Sequence, residues 1–103
     1  MTNAKIELLD QLKNNPKVKC AEIYKGDDWD DDRTSYLLKC NHSKEDLDRF
    51  INSLDFNYDS GYGGQELFGT LWFVDGSWIE RGEYDGSEWW EYKTTPEIPK
   101  ELE

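Results

Sequence analysis

Carboxylates set close to tryptophan are the side chains in this sequence that could do chemistry. One run, Gly-Asp-Asp-Trp-Asp-Asp-Asp at residues 26–32, places five acids around a single indole. A second set lies in residues 78–91, where acids and tryptophans recur within short predicted strands. Such carboxylates can act as metal ligands, as an acid–base pair, or as a negatively charged surface for a basic partner.

The metal interpretation is the weakest of the three. Oxygen ligands at alternate positions are how calcium loops work, but residues 26–32 lack the internal glycine and the closing glutamate of the established loop. A zinc site needs several Cys and His ligands at short spacing. The sequence offers only Cys40 beside its single histidine, His42. We therefore predict no metal site and no cofactor, and we interpret the run as a solvated acidic turn.

Catalysis by paired acids is also disfavoured. Neighbouring strands could bring Glu80 and Glu91 together as an acid–base pair. The sequence offers no nucleophile with its base, and the glycines of residues 61–64 do not open a helix as a phosphate loop would. Exposed tryptophans could stack on sugars, but carbohydrate-binding modules are mostly secreted, and residues 1–5 lack the apolar stretch of an export signal. We predict that the protein is not an enzyme.

Composition excludes further classes of protein. The 103 residues carry a formal net charge of −11, and 15% of them are aromatic. Disordered chains have few aromatics, nucleic-acid binders carry a basic surface, and a membrane span needs about 20 apolar residues. We predict one domain over residues 1–103, located in the cytoplasm, that contacts neither nucleic acid nor membrane directly.

The negative charge is concentrated in two places. Residues 26–32 hold five acids, and residues 55–103 hold twelve acids against three bases. The rest of the chain is close to neutral. A concentrated field of one sign influences partner choice and association rate rather than fold.

Hydrophobic periodicity predicts the elements that position these acids. Leucines at helical spacing predict a helix over residues 3–14 with Asn3 as its cap, and a second amphipathic helix follows Ser43 and carries apolar residues as far as Leu54. Alternation with period two predicts strands over residues 17–25, 33–40, 66–74, 77–84 and 87–93. The result is an α+β fold in which two helices pack on an antiparallel sheet, in the order α-β-β-α followed by a three-strand β-meander. Residues 57–65 are a short strand with a loop or a loop alone, and residues 94–103 form an extended C-terminal arm.

Asp-Gly pairs at residues 75–76 and 85–86 predict two-residue turns, because such turns need positive φ at both positions. The resulting register places Trp72 opposite Ile79, Glu80 opposite Glu91, and Glu83 opposite Glu88. Gly69 and Gly82 leave room for the indole of Trp89 to lie over the backbone. The face predicted to form the core carries Phe68, Trp72, Val74, Ile79, Trp90 and Tyr92.

Two like-charge pairs in one meander run against stability. Directly opposed like charges on a sheet cost up to about 1 kcal/mol per pair. Either the carboxylates point into solvent at little cost, or they form a surface made for a basic partner. Both interpretations stay open at this point.

The two cysteines, Cys20 and Cys40, lie in two strands that we expect to form a hairpin. If Lys25 faces Arg33, the two thiols share one face of that hairpin. A bridge is conceivable there, but two free, half-buried thiols are the better interpretation for a reducing compartment.

A long, tryptophan-rich motif, FGTLWFVDGSWIERGEYDGSEWWE at residues 68–91, is preceded by DSGYGG at residues 59–64 and followed by PEIP at residues 96–99. In these residues the chain resembles a family of short proteins from bacteriophages and prophages. The resemblance carries no activity and no site residues with it. It implies a small cytoplasmic protein made by a phage in its host.

In size and charge, small acidic phage proteins of this kind resemble inhibitors of host nucleic-acid enzymes, including anti-CRISPR and anti-restriction proteins. Some of these inhibitors present carboxylates where DNA presents phosphates. We therefore expect a non-enzymatic inhibitor that occupies the basic surface of a host nuclease or CRISPR effector. The alternative is a phage accessory protein that binds either a phage partner or a second copy of itself as a homodimer. In that case the acidic surface serves only solubility. The partner-binding residues we predict are Asp27, Asp28, Trp29, Asp30, Asp31, Asp32, Trp78, Glu80, Glu83, Glu88, Trp89 and Glu91.

Overall fold

The computed structural model describes residues 1–26, 33–61, 64–96 and 98–102. Two helices and seven strands follow one another in these ranges, with a short 3₁₀ helix near the end of the chain. In chain order the elements are β1 (Thr2–Asn3), α1 (Ala4–Leu12), β2 (Val18–Lys25), β3 (Thr34–Leu38), α2 (Lys44–Ser53), β4 (Asn57–Tyr58), β5 (Leu67–Phe73), β6 (Trp78–Tyr84), β7 (Ser87–Lys93) and the 3₁₀ helix (Lys100–Leu102).

The main sheet has five antiparallel strands in the order β3-β2-β5-β6-β7. Both helices pack on one of its faces, which confirms the predicted α+β class. Two short strands, β1 and β4, pair with each other in a second sheet. The prediction lacks β1, whereas β4 begins residues 57–65, for which a short strand with a loop was one of the two alternatives. The C-terminal arm also differs from the prediction, because residues 100–102 turn into the 3₁₀ helix. Among the described residues, no helix has the length and apolar character needed to cross a membrane.

Capping fixes where the two helices begin. The Asn3 side chain accepts a hydrogen bond from the Ile6 amide at 3.0 Å, as predicted. Ser43 and Asp46 form a reciprocal capping box, with each side chain accepting from the other residue's amide at 3.1 Å. These bonds satisfy amides that have no partner within the helix. The apolar side of α2 then places Phe50 and Leu54 in the core.

The turn between β5 and β6 differs from the prediction. The Phe73 amide donates to the Ser77 carbonyl at 2.9 Å, so three residues, 74–76, form the loop. Gly76 alone takes positive φ (92°), while the Asp75 carboxylate accepts the Ser77 amide at 2.9 Å. A three-residue loop that ends on a left-handed glycine is the second common hairpin geometry. Trp72 therefore pairs with Trp78 rather than with Ile79.

This one-residue difference moves every side chain of β5 to the opposite face of the sheet. The predicted core positions on that strand, Phe68 and Trp72, lie on the side away from the helices. Val74 is 58% exposed in the turn. In their place the core receives Leu67, Leu71 and Phe73.

The turn between β6 and β7 is the predicted two-residue turn. Asp85 and Gly86 have φ values of 52° and 87°. Glu80 therefore lies opposite Glu91, and Glu83 opposite Glu88. On these two strands Ile79 and Trp90 are in the core as predicted. Tyr92 lies on the same side but is 48% exposed at the sheet edge.

Candidate functional site

The face of the main sheet that points away from the helices, here called the outer face, brings four of the predicted partner-binding residues together with further aromatic and acidic side chains. Its members follow from the strand register and the alternation of side chains along each strand. They are Cys20, Glu22, Tyr24, Ser35, Leu37, Phe68, Thr70, Trp72, Trp78, Glu80, Gly82, Tyr84, Ser87, Trp89, Glu91 and Lys93.

The register arranges these side chains in three rows that cross the strands. The central row, here called the acidic row, is formed by Glu22, Thr70, Glu80 and Glu91, each opposite the next. On one side Trp72 and Trp78 lie opposite each other. On the other side, in the aromatic row, Tyr24 lies opposite Phe68 and Trp89 lies opposite Gly82. A band of carboxylates thus runs between two bands of rings.

Neighbouring side chains hold two of these carboxylates in place. The Trp89 indole nitrogen donates to Glu91 at 3.0 Å, and the Lys93 ammonium lies 3.5 Å from the other oxygen of that carboxylate. The Tyr24 hydroxyl donates to Glu22 at 3.2 Å. Each ring therefore orients the acid two positions away on its own strand.

Gly82 provides the space for this arrangement. A methyl group at this position would lie 2.6 Å from the Glu91 carboxylate and 2.9 Å from the Trp89 indole nitrogen. The indole therefore lies over the Gly82 backbone, as predicted. Gly69, expected to share that role, lies on the helix side and lets β5 approach the β2 backbone closely, because its Cβ would meet the Glu22 carbonyl at 2.2 Å.

Sequence reasoning missed one cation on the outer face. The Arg33 guanidinium lies 4.8 Å from the Tyr24 ring centre and 5.5 Å from that of Phe68. Cation–π attraction is significant at such separations. The signal available in the sequence was an arginine directly after the acidic run of residues 26–32 and just before a strand that pairs with the strand of Tyr24.

Four of the predicted partner-binding residues lie together on the outer face: Trp78, Glu80, Trp89 and Glu91. Glu83 is exposed on the opposite face of the sheet, where its carboxylate accepts the Gly86 amide at 3.0 Å. The residues Asp27, Asp28, Trp29, Asp30, Asp31 and Asp32 lie outside the described residues.

Glu88 was predicted to contact a partner, and this is wrong. Its side chain is 0% exposed, and one oxygen lies 2.8 Å from the Arg81 guanidinium. The carboxylate also accepts the Glu66 and Leu67 amides, at 2.8 and 3.0 Å. With its oxygens used inside the fold, Glu88 anchors the segment before β5 and cannot reach a partner.

Arg81 is the centre of this buried group, and its own side chain is 1% exposed. It also donates to Glu7 of α1 at 2.9 Å and to the Tyr58 hydroxyl at 2.7 Å. The pKa of Tyr58 is raised above its usual range. The larger cause is burial of the Tyr58 hydroxyl, and the second is the hydrogen bond that this hydroxyl makes with Glu7. The group joins α1, β4, β6 and β7, so its role is to hold the fold together.

The two cysteines meet at one end of the outer face. β2 and β3 pair with Lys25 opposite Thr34, so the condition that Lys25 faces Arg33 is not met. Cys20, half-buried, and Cys40, exposed, are both free thiols. They line a cavity of about 290 Å³ together with Trp72. Burial, and then the neighbouring Cys40 thiol, raise the pKa of Cys20.

Neither metal-ligand clusters nor known relatives point to an activity. Within the ranges that the structure describes, no three His, Cys, Asp or Glu side chains are grouped to hold a metal ion. No protein-family model, no curated protein and no solved structure matches the chain. The resemblance to bacteriophage proteins therefore stays a prediction.

Proposed function

We propose that the protein is a non-enzymatic inhibitor that attaches its outer face to the basic, nucleic-acid-binding surface of a host protein. The partner class is a nuclease of a defence system, such as a CRISPR or restriction enzyme, in a cell infected by the phage that encodes the chain. The single observation that carries this proposal is the acidic row lying between two bands of aromatic rings on the face opposite the helices.

The physical basis is competition for positive charge. A basic channel binds nucleic acid largely by neutralising phosphates. Glu22, Glu80 and Glu91 offer carboxylates to the same lysines and arginines. Trp72, Trp78 and Trp89 supply the ring area that typically anchors protein interfaces. Charge then provides attraction and orientation, and the rings provide buried apolar surface.

The surroundings of the acids favour binding over catalysis. Glu80 and Glu91 lie on a sheet face among rings rather than in a cleft. Two larger cavities, of about 710 and 590 Å³, lie elsewhere, between β3 and α2 and between α1 and α2. Neither is lined by these two carboxylates.

A capture experiment with a displacement readout tests this function. Tagged protein is incubated with host lysate at low salt, and bound proteins are eluted with a salt gradient and identified by mass spectrometry. We expect a basic nucleic-acid-handling protein that elutes at moderate salt, because salt screens exposed charges. The purified captured protein should then lose its DNA or RNA when the inhibitor is added.

Paired variants show whether the outer face is responsible. We expect Glu80→Gln with Glu91→Gln to weaken capture by about tenfold or more, since each removes a charge from the contact. Glu45→Gln with Asp48→Asn, on exposed positions of α2, removes the same charge elsewhere and should change affinity little. Equal losses in the two double variants, or capture that leaves nucleic acid bound, would contradict the proposal. Recovery of a neutral, salt-resistant partner would favour the accessory-protein alternative.

A further inference from the structure

An arginine of the chain itself shows which cation the outer face accommodates. Arg33 covers two rings at once, because Tyr24 and Phe68 are cross-strand partners in the aromatic row. Glu22, on the same strand as Tyr24 and two positions before it, presents its carboxylate to the same region and is held there by the Tyr24 hydroxyl. The folded chain thus seats a guanidinium on rings beside the acidic row.

The acidic row has negative charge that the fold leaves uncompensated. Glu80 is half-buried and lies directly opposite Glu91. Lys93 and the Trp89 indole contact Glu91. By contrast, across the parts of the chain that the structure describes, the Glu80 side chain makes neither a hydrogen bond nor an ion pair. Opposed like charges are unfavourable on a sheet, so a cation placed beside Glu80 would relieve a cost already present in the free protein.

A guanidinium suits this surface better than an ammonium group. It is planar, stacks on aromatic rings, and donates through a fork that matches a carboxylate. Residues two apart on a strand are separated by about 6.6 Å. A guanidinium lying on a ring of one row therefore has a carboxylate of the acidic row within reach of its N–H groups. An ammonium is a compact, strongly hydrated charge that gains less from the rings.

We propose that the outer face is an arginine-recognition surface, on which guanidinium groups of a protein partner stack on the rings and bond to the acidic row. Arg33 occupies the Tyr24–Phe68 position in the free protein and must leave it when a partner arginine binds. This inference rests on the proposed function in taking the outer face as the binding site, and it names the side chain that the site selects.

Short peptides measure this selection without the natural partner. The full chain is titrated with acetyl-(Gly-Arg)₄-amide and with the lysine peptide of the same length and charge, by calorimetry and by tryptophan fluorescence. We expect the arginine peptide to bind about fivefold more tightly, the size of one or two cation–π contacts. Glu80→Gln with Glu91→Gln should remove most of the binding of both peptides.

A matched pair of variants examines the role of Arg33. Arg33→Ala leaves the rings of Tyr24 and Phe68 uncovered. We expect it to raise the affinity for the arginine peptide by about threefold or more, because apparent affinity falls in proportion to the fraction of sites that are already occupied. Lys39→Ala removes one positive charge from an exposed position just after β3 without freeing a ring. It should give a clearly smaller gain. Circular dichroism of each variant confirms that the fold is kept.

Several outcomes would overturn the inference. Equal affinity for the arginine and lysine peptides would show that charge alone is sensed. Equal gains from Arg33→Ala and Lys39→Ala would show that Arg33 does not occupy a binding position. Sedimentation at twice the monomer mass, with no peptide binding, would show that a second copy covers the outer face.

The peptide experiment tests arginine recognition and the capture experiment tests the proposed function, so either proposal can be contradicted while the other stands. If arginine preference is absent while a captured protein still loses its nucleic acid, arginine recognition is wrong and the proposed function stands. If the preference is present but no nucleic-acid-handling protein is displaced from its ligand, the arginine surface stands and the proposed function is wrong.

Discussion

Glu88→Ala is expected to lower the free energy of unfolding by about 3–5 kcal/mol, as typically follows when one partner of a buried ion pair is removed. The variant leaves the Arg81 guanidinium, whose side chain is 1% exposed, without its shortest ion-pair contact. It also leaves the Glu66 and Leu67 amides without the carboxylate that accepts them. Urea denaturation monitored by tryptophan fluorescence measures the change.

The neighbouring acid provides the control. Glu83 lies directly opposite Glu88 but is exposed, and its carboxylate accepts a single amide in the turn. We expect Glu83→Ala to change stability by less than about 1 kcal/mol, the typical net contribution of one hydrogen bond. A similar loss in both variants would mean that the Arg81–Glu88 contact is not what stabilises this region.

A double-mutant cycle separates the ion pair from the rest of the group. We expect Arg81→Ala combined with Glu88→Ala to cost less than the sum of the single losses, with a coupling of about 1–3 kcal/mol. Each single variant leaves one buried charge without its partner, whereas the double variant leaves neither. We expect the hydrogen bond between Tyr58 and Glu7 to persist in the double variant. Additive losses would show that the two side chains act independently.

Gly69→Ala is expected to destabilise the protein by about 2–6 kcal/mol, because two separate costs combine at this position. Its φ of 138° is one that residues with a side chain rarely adopt, and such strain costs about 1–3 kcal/mol. The added methyl would also lie 2.2 Å from the Glu22 carbonyl oxygen and 2.7 Å from the Ile23 Cα. Both contacts are backbone atoms of a paired strand, so β2 itself would have to move, at a further cost of about 1–3 kcal/mol.

Alanine substitutions at two other glycines separate the cost of backbone strain from the cost of the close contact. Gly76 has positive φ but open space around its Cβ position, so Gly76→Ala should show the strain without the contact. Gly61 has neither constraint, and Gly61→Ala should leave stability within about 1 kcal/mol of the original protein. Thermal denaturation should rank the losses as Gly69, Gly76, Gly61. If Gly69→Ala costs no more than Gly76→Ala, the close approach of β5 to β2 is readily relaxed.

The sequence alone determined the features that depend on local chemistry. Ser43 and Asp46 cap α2 because their side chains reach amides three residues away. Asp85 and Gly86 set the β6–β7 register because few residue pairs accept positive φ at both positions. That register is enough to place Glu80 opposite Glu91 and Trp89 over Gly82.

The first meander turn was not decided locally. Asp75 and Gly76 are compatible with a two-residue turn and also with the end of a three-residue loop, so local preferences leave two registers that differ by one residue. The choice rests on which residues of β5 fit beneath the helices. Leu67, Leu71 and Phe73 are fully buried in the core that also contains Leu8 of α1 and Phe50 of α2, whereas Trp72 is only half-buried on the outer face. Packing over long distances in sequence selected the register, and with it the composition of the outer face.

Burial of charge was likewise decided only by the tertiary structure. Arg81 and Glu88 are charged residues, which are usually exposed on strands. Nothing within their own hairpin predicts that both are enclosed. Arg81 becomes buried together with Glu88 because Glu7 and Tyr58, from elements distant in the chain, accept hydrogen bonds from its guanidinium. A charge can leave water only when such partners arrive with it. The sequence therefore determined the helix caps, the second hairpin and the opposed acids, while the three-dimensional packing decided which acids hold the fold and which face outward.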